Sequence, residues 1–273
     1  MNETVYTADP ELRHPARFLA AAAADLRRSG PIGWRLFLAN LRIRYRRAWL
    51  GYLWLILPAL ATALVCSFIQ ARRLVAIAPT ELPYPVFALA GIILWQTFAD
   101  ALQMPLQHLG AARHMIARSR VPQEATIVAG LLELGLGFAV RLAILVAALI
   151  FFAVPLAPAA LLLPAGAACL VLLGLALGLF LAPIGLLYDD VGRGLTLVLG
   201  FWLFLSPVLY PLPADGIFAL NPVAPLLDST RAFLVGGGME DRFLLVTGLS
   251  LVGLVIAWLC NRLARPHVVA RLG

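Results

Sequence analysis

Three ionisable residues lie inside runs that are otherwise apolar: Asp100, Glu133 and Arg141. A charge at membrane depth is costly and stays there only with a partner or a function. Glu133 and Arg141 are eight residues apart, about 12 Å along one helix, too far for a tidy pair within it. Asp100 reaches a similar depth in the preceding run. Two main readings stand open: an ion network locking neighbouring spans together, or a polar lining for a translocation path. A proton relay has less to work with, because His108 and His114 fall in a loop and His14 and His267 in the tails. A second set, Asp189, Asp190 and Arg193, is placed at a span boundary, but without histidine it makes a thin active site. No metal site is visible. Cys66, Cys169 and Cys260 each sit in an apolar run and read as small buried hydrophobes.

Composition says where these groups must work. The chain has 273 residues, of which 62% are hydrophobic and 13% charged. A soluble domain would carry about twice that charge fraction. Net charge is +7, and all 21 basic residues are arginine. The absence of lysine excludes a Walker A loop, whose lysine holds nucleotide phosphates, so ATP-driven work has to come from another polypeptide. Schiff-base lysine chemistry is excluded on the same ground. The first residues are polar, and the alanines at 20–24 are followed by Asp25, Arg27 and Arg28, which does not read as a cleavable leader.

The elements that position these residues are an all-α set embedded in a bilayer. The run Arg42–Pro58 passes from an arginine cluster through Tyr45, Trp49, Tyr52 and Trp54 into aliphatic sequence. Arginines stay at an anionic surface, aromatics settle at headgroups, and the aliphatic run crosses a core of about 30 Å. Six spans are predicted, at roughly 50–71, 84–107, 125–154, 159–187, 194–212 and 242–261. A different count splits the fourth at Pro164 or Pro183. Residues 1–31 form a cytosolic tail, with Gly30-Pro31 breaking the chain. Residues 32–49 form an amphipathic interfacial helix with Trp34, Leu38, Leu41, Tyr45 and Trp49 on one face and Arg35, Arg42 and Arg46 beside it. Residues 266–273 are a cytosolic C-terminal tail. Arginines concentrate before residue 50, at 113–120, at 193 and after 261, which places both termini in the cytoplasm.

Two connecting segments stand out. The loop 107–124 holds Arg113, Arg118 and Arg120 before Val121-Pro122-Gln123-Glu124, a helix-start pattern that suits a surface for a soluble partner or an ordinary basic loop. Between the fifth and sixth spans, Pro211, Pro213, Asn221-Pro222 and Pro225 precede an apolar stretch 226–235, too short to span and suited to short re-entrant helices. Trp95, Phe98, Phe201, Trp202, Phe204 and Tyr210 read as interface anchors, lipid-facing filler or stacking platforms for sugar rings. Gly174 and Gly178 have a spacing that permits close helix packing.

Several of these segments together resemble one family. RYRRAWLGYLWLILPAL (44–60) is similar to the opening of the ABC-2 type permeases that export polysaccharides. The similarity continues at PYPVFALAG (83–91), at Arg120-Val121-Pro122, at YDDV (188–191), at SPVLYP (206–211) and at NPVAPL (221–226). Asp189 departs from the usual pattern in its segment. The resemblance implies the membrane subunit of an O-antigen, capsule or teichoic-acid exporter in the bacterial inner membrane. Two copies would form a channel and bind two copies of a separate ATPase, which would hold the ATP and magnesium; this chain would need no cofactor. It implies ATPase coupling through Arg113, Arg118, Arg120, Pro122, Gln123 and Glu124. A cytosolic gate would involve Trp34, Arg42, Tyr45, Arg46 and Trp49, and a periplasmic gate Ser206, Pro207, Tyr210, Asn221 and Pro222. The implied substrate is a lipid-linked polysaccharide; nucleic acid is not expected as a partner. The other readings are an ABC-2 permease for drugs or small lipids and a membrane enzyme acting on polyprenyl-linked sugars.

Overall fold

The computed structural model describes residues 15–46, 82–112, 122–188, 190–211 and 220–272, with isolated positions at 57, 61, 64, 65, 68 and 218, and backbone alone at 15–17, 19, 44–46 and 265–272. Among them are seven α-helices and no strand: α1 (Pro15–Arg46), α2 (Tyr84–Ala111), α3 (Gln123–Phe151), α4 (Leu163–Leu187), α5 (Asp190–Phe204), α6 (Val223–Ala232) and α7 (Phe243–Leu272). Short 3-10 turns at Pro158–Leu162 and Phe233–Val235 lead into α4 and out of α6. Four helical stretches are long and apolar enough to cross a membrane: Tyr84–Ala111, Gln123–Phe151, Pro158–Leu187 and Phe243–Ala264. The chain is an all-α membrane protein. The expected first span, 50–71, lies outside the described residues apart from isolated positions.

Prolines set most of the boundaries. Pro83 and Pro85 open α2, and Pro122 in an extended conformation precedes α3. Proline is tolerated in a first turn because its missing N–H would have no helical partner there. Pro164 sits in the first turn of α4, and Pro183 lies inside it without ending it, so the fourth span is one helix. The fifth is shorter than the expected 194–212. Its helix has 15 residues and stops at Phe204, about 22 Å of length at 1.5 Å per residue. Pro207 cannot donate to a continuing helix, and the chain turns at 205–208 instead.

Helix α2 is the centre of the assembly. It lies between α3 and α4, and α4 in turn packs against α7. Phe98, Leu89, Ile93, Leu94 and Leu102 of α2 are fully buried. Glycines allow the approach. A Cβ on Gly174 would lie 2.6 Å from the Phe98 carbonyl, and one on Gly178 would collide with the Leu102 carbonyl. Gly91 faces the Val208 carbonyl with the same intolerance.

Two expectations near the N-terminus change. Gly30-Pro31 does not break the chain, because α1 runs through Pro31. Tertiary packing supports it there: Gly33 lies against Val128 and the Ala125 carbonyl of α3, and Phe37 is 7% exposed. The contact face is therefore Ser29, Gly33 and Phe37. Trp34 is half exposed and Arg42 exposed. The side chains of Tyr45 and Arg46, and the whole of Trp49, lie outside the described residues. The cysteines also differ from expectation: Cys169 is half-buried and Cys260 is exposed, while Cys66 is not among the described residues.

The packing predicts opposite outcomes for two alanines. Gly91→Ala should lower the thermal midpoint of the detergent-purified chain, because the new methyl meets backbone that cannot swing away. Gly135→Ala, with nothing within 4 Å of its Cβ position, should hold or raise it by up to about 1 kcal/mol of helix propensity. Equal shifts would contradict the close approach at Gly91.

Candidate functional site: paired polar groups through the helix bundle

Inside the bundle the three charges singled out in the sequence divide between two pairs. Asp100 of α2 forms an ion pair with Arg141 of α3, and the Arg141 side chain is only 11% exposed. One Arg141 nitrogen, Nη1, is buried without a partner. Glu133 does not join that pair. Its Oε1 accepts a 2.9 Å hydrogen bond from Asn40 of α1, and its Oε2 lies 3.8 Å from His108 Nε2. The helices run antiparallel, so Asp100 meets Arg141 at one level and His108 meets Glu133 two turns away. Both pairs join α2 to α3, and the second also takes in α1.

A second polar cluster closes the other end of α3. Arg262 of α7 donates from Nη1 to Glu124 Oε1 at 2.9 Å and from Nη2 to Asp25 Oδ2 at 2.6 Å. Its guanidinium also lies over the Phe18 ring, 5.6 Å from the centroid. One arginine therefore ties α1, α3 and α7 together. Glu124 is 4% exposed and Gln123 is 6% exposed, and Pro122 is buried as well. These three members of the expected ATPase-coupling set face the interior of this chain, because the first turn of α3 is where α1 and α7 converge. Arg113, Arg118 and Arg120 lie outside the described residues. Sequence reasoning missed Asp25 and Arg262, whose partners stand 237 and 138 residues away.

The residues expected at an outer gate form a hydrogen-bonded hub. The Asn221 side chain accepts from Trp202 Nε1 at 3.1 Å and from the Val223 N–H at 3.0 Å. It donates to the Leu205 carbonyl and to Ser206 Oγ, both at 2.9 Å. Ser206 Oγ in turn donates to the Trp202 carbonyl at 3.0 Å, and the Tyr210 hydroxyl to the Phe204 carbonyl. Asn221 thereby joins the first N–H of α6 to the turn after α5 with one amide. Pro207 is buried and Pro222 half-buried beside it. Trp202 is fixed by a ring cluster, 5.3 Å from Phe98 and 6.2 Å from Trp95. These aromatics are core residues here, whereas Phe201 and Phe204 are exposed.

Helix α6, expected as a re-entrant element, is 10 residues long and packs its buried face on α4, with Thr230 against Gly166. Arg231 is 6% exposed, pairs with Asp228, and stacks 3.6 Å over the Phe87 ring centroid. Burial lowers the pKa of Arg231 and pushes the Asp228 carboxyl up to about 6, against the pull of the arginine. Asp190 and Arg193 pair with each other at 3.5 Å and are both largely exposed; Asp189 is not among the described residues. No group of three or more His, Cys, Asp or Glu among the described residues could hold a metal ion.

No family model matches the chain. Among curated proteins it is similar to two O-antigen export system permease proteins RfbA of Klebsiella pneumoniae. Each is 25% identical over 228 residues, which is 80% of this chain and 87% of the relative. It is also similar to the O-antigen export system permease protein RfbA of Myxococcus xanthus, 24% identical over 226 residues, 80% of this chain and 85% of that one. These relatives bear out the resemblance to polysaccharide-exporting ABC-2 permeases that the motifs carry.

The hub and the α6 pair each yield a prediction. Asn221→Ala removes the partner of the Trp202 and Val223 N–H groups and of the Leu205 carbonyl, and should cost about 2 kcal/mol in a denaturant titration of the purified chain. A loss under a few tenths would show that water replaces the amide. Asp228 holds its proton more tightly in the folded chain (about 6) than its ordinary 3.8. The folded state therefore binds more protons between those values, and this group adds stability as the pH falls through 6 and removes it as the pH rises. Asp228→Asn should flatten that portion of the thermal midpoint against pH. An unchanged slope would assign it to another group.

Proposed function

We propose that this chain is the channel-forming permease subunit of an ATP-driven ABC exporter that moves a lipid-linked, O-antigen-like polysaccharide across the bacterial inner membrane. The observation that carries the reading is the similarity, over four-fifths of the chain, to relatives named O-antigen export permeases. Apolar helices long enough to cross a bilayer and the absence of lysine agree with it. On this reading two copies of the chain form the channel, and two copies of a separate subunit bind and hydrolyse ATP with magnesium. Both termini face the cytoplasm.

The packing suggests how force would be passed on. The segment 113–121 follows α2 directly and ends at Pro122, before the buried start of α3. Its docking on an ATPase would be felt at Glu124, and Arg262 would share the displacement with α1 and α7. Gln123 and Glu124 are then positioning residues inside the permease, and the contact surface is narrowed to 113–121. The membrane-enzyme reading has little to stand on, since Asp190 and Arg193 neutralise each other on an exposed helix start.

The test is co-purification in detergent with an ABC ATPase subunit co-expressed from the same organism, with ATP hydrolysis measured in the presence and absence of this chain. A stable two-plus-two complex is expected, and scrambling 113–120 while keeping Pro122–Glu124 should abolish it without lowering the yield of the permease. Failure to associate with any ATPase would overturn the proposal.

A further inference from the structure

Helix α2 is buried along most of its surface, and the side it leaves accessible carries a polar row, with Ala99 and Leu106 partly buried beside it. Gln96, Asp100, Gln103 and Gln107 follow one another at i, i+4, i+7 and i+11, a single face of the helix. Gln107 is exposed, Gln96 and Gln103 are partly so, and the Asp100 side chain keeps 46% of its surface. Thr196 of α5, itself exposed, lies alongside with its hydroxyl 3.4 Å from Gln103 Oε1. The other exposed faces of the long helices are of a different kind. On α3 they present Val146, Ile150 and Phe151, and on α7 Leu244, Leu249 and Val252. Aliphatic faces suit lipid tails; a row of carboxamides does not, because an amide without a hydrogen-bond partner in hydrocarbon costs several kcal/mol, about 4–8 in the least polar reference. Among the described helices long and apolar enough to cross a membrane, α2 alone leaves a polar row accessible.

The chemistry of the face is specific. Asp100 is its only charge and is neutralised from behind by Arg141. The face therefore offers no net charge to hold a polyanion or a cation. Each glutamine offers two donors and an acceptor, and the Thr196 hydroxyl, which donates to the Gly192 carbonyl at 3.0 Å, offers an acceptor. Such groups match pairs of neutral hydroxyls. The row from Gln96 to Gln107 is about 16 Å long at 1.5 Å per residue. Hydrogen bonds between neutral groups are worth about 0.5–1.5 kcal/mol net, weak enough for a chain held by several to advance along them.

We propose that the α2 face Gln96–Asp100–Gln103–Gln107, bordered by Thr196, is a hydrated track that contacts a neutral, hydroxyl-rich polymer during its passage. The identity of the polymer as a glycan rests on the export reading above; the wetness and neutrality of the face do not.

The test uses the full chain in membrane vesicles, with its three native cysteines replaced by serine and single cysteines placed at 96, 103 or 107. Controls carry the cysteine at 249 or 252. Two membrane-impermeant methanethiosulfonates serve as probes, one anionic and one cationic. Both should label the α2 positions about tenfold or more faster than the α7 positions, since only a thiolate reacts and it forms where water reaches. In cells, Gln103→Leu with Gln107→Leu should lower surface glycan about tenfold at unchanged protein level, as two lost neutral hydrogen bonds would; the matching Gln→Asn pair should retain most of it. No labelling at 96, 103 and 107 would overturn the proposal. Labelling by one charge alone would overturn its neutrality, and unchanged export in the double leucine variant would overturn the contact with the polymer. If the unaltered chain supports no glycan export, the export reading fails, while the labelling still decides whether the face is wet.

Discussion

The close approach of α2 to its neighbours is the constraint from which the rest of the arrangement follows. At Gly174 and Gly178 the backbone of α4 comes so near to α2 that a methyl group would meet a carbonyl oxygen, and Gly91 meets the turn after α5 in the same way. Such contacts gain dispersion energy from many atoms at once and leave no room for water. They fix α2 as an axis with little freedom to rotate. Once its rotation is fixed, the direction of every polar side chain on it is fixed too.

That rotation explains the division of the charges. Asp100 and His108 are two turns apart on α2 and both face α3, where Arg141 and Glu133 are also two turns apart. Each charge finds an opposite or polar partner on another helix, which offsets part of the cost of removing it from water. The remaining glutamines of α2 have no such partner on α3 and occupy the accessible side. A polar network and a polar face are therefore consequences of one helix orientation.

Outside the central pair, single side chains join elements that are remote in sequence. Arg262 binds the start of α3 to the N-terminal helix, and Asn221 binds the end of α5 to the start of α6. Both work by satisfying backbone ends or buried carboxylates at helix termini, where groups lack intrahelical partners. The elements that carry the two clusters are linked through α7, α4 and α2.

The sequence by itself determined the class of protein and four of the long apolar helices to within a few residues. Length, hydropathy and proline positions are local quantities, and the bilayer makes them decisive because each spanning helix must satisfy its own backbone. The sequence also marked Asp100, Glu133 and Arg141, since charges in apolar runs are rare, and Ser206 and Asn221 through the motifs of the resemblance. Partner choice was left to the tertiary structure. Nothing local says that Glu133 turns to Asn40 and His108 while Arg141 takes Asp100, that α1 carries on through Pro31 because Gly33 nests on α3, or that Glu124 is buried under Arg262 at the start of a helix whose sequence reads as a docking loop. Those outcomes depend on which faces of helices meet, and that was decided by where glycines let two backbones touch.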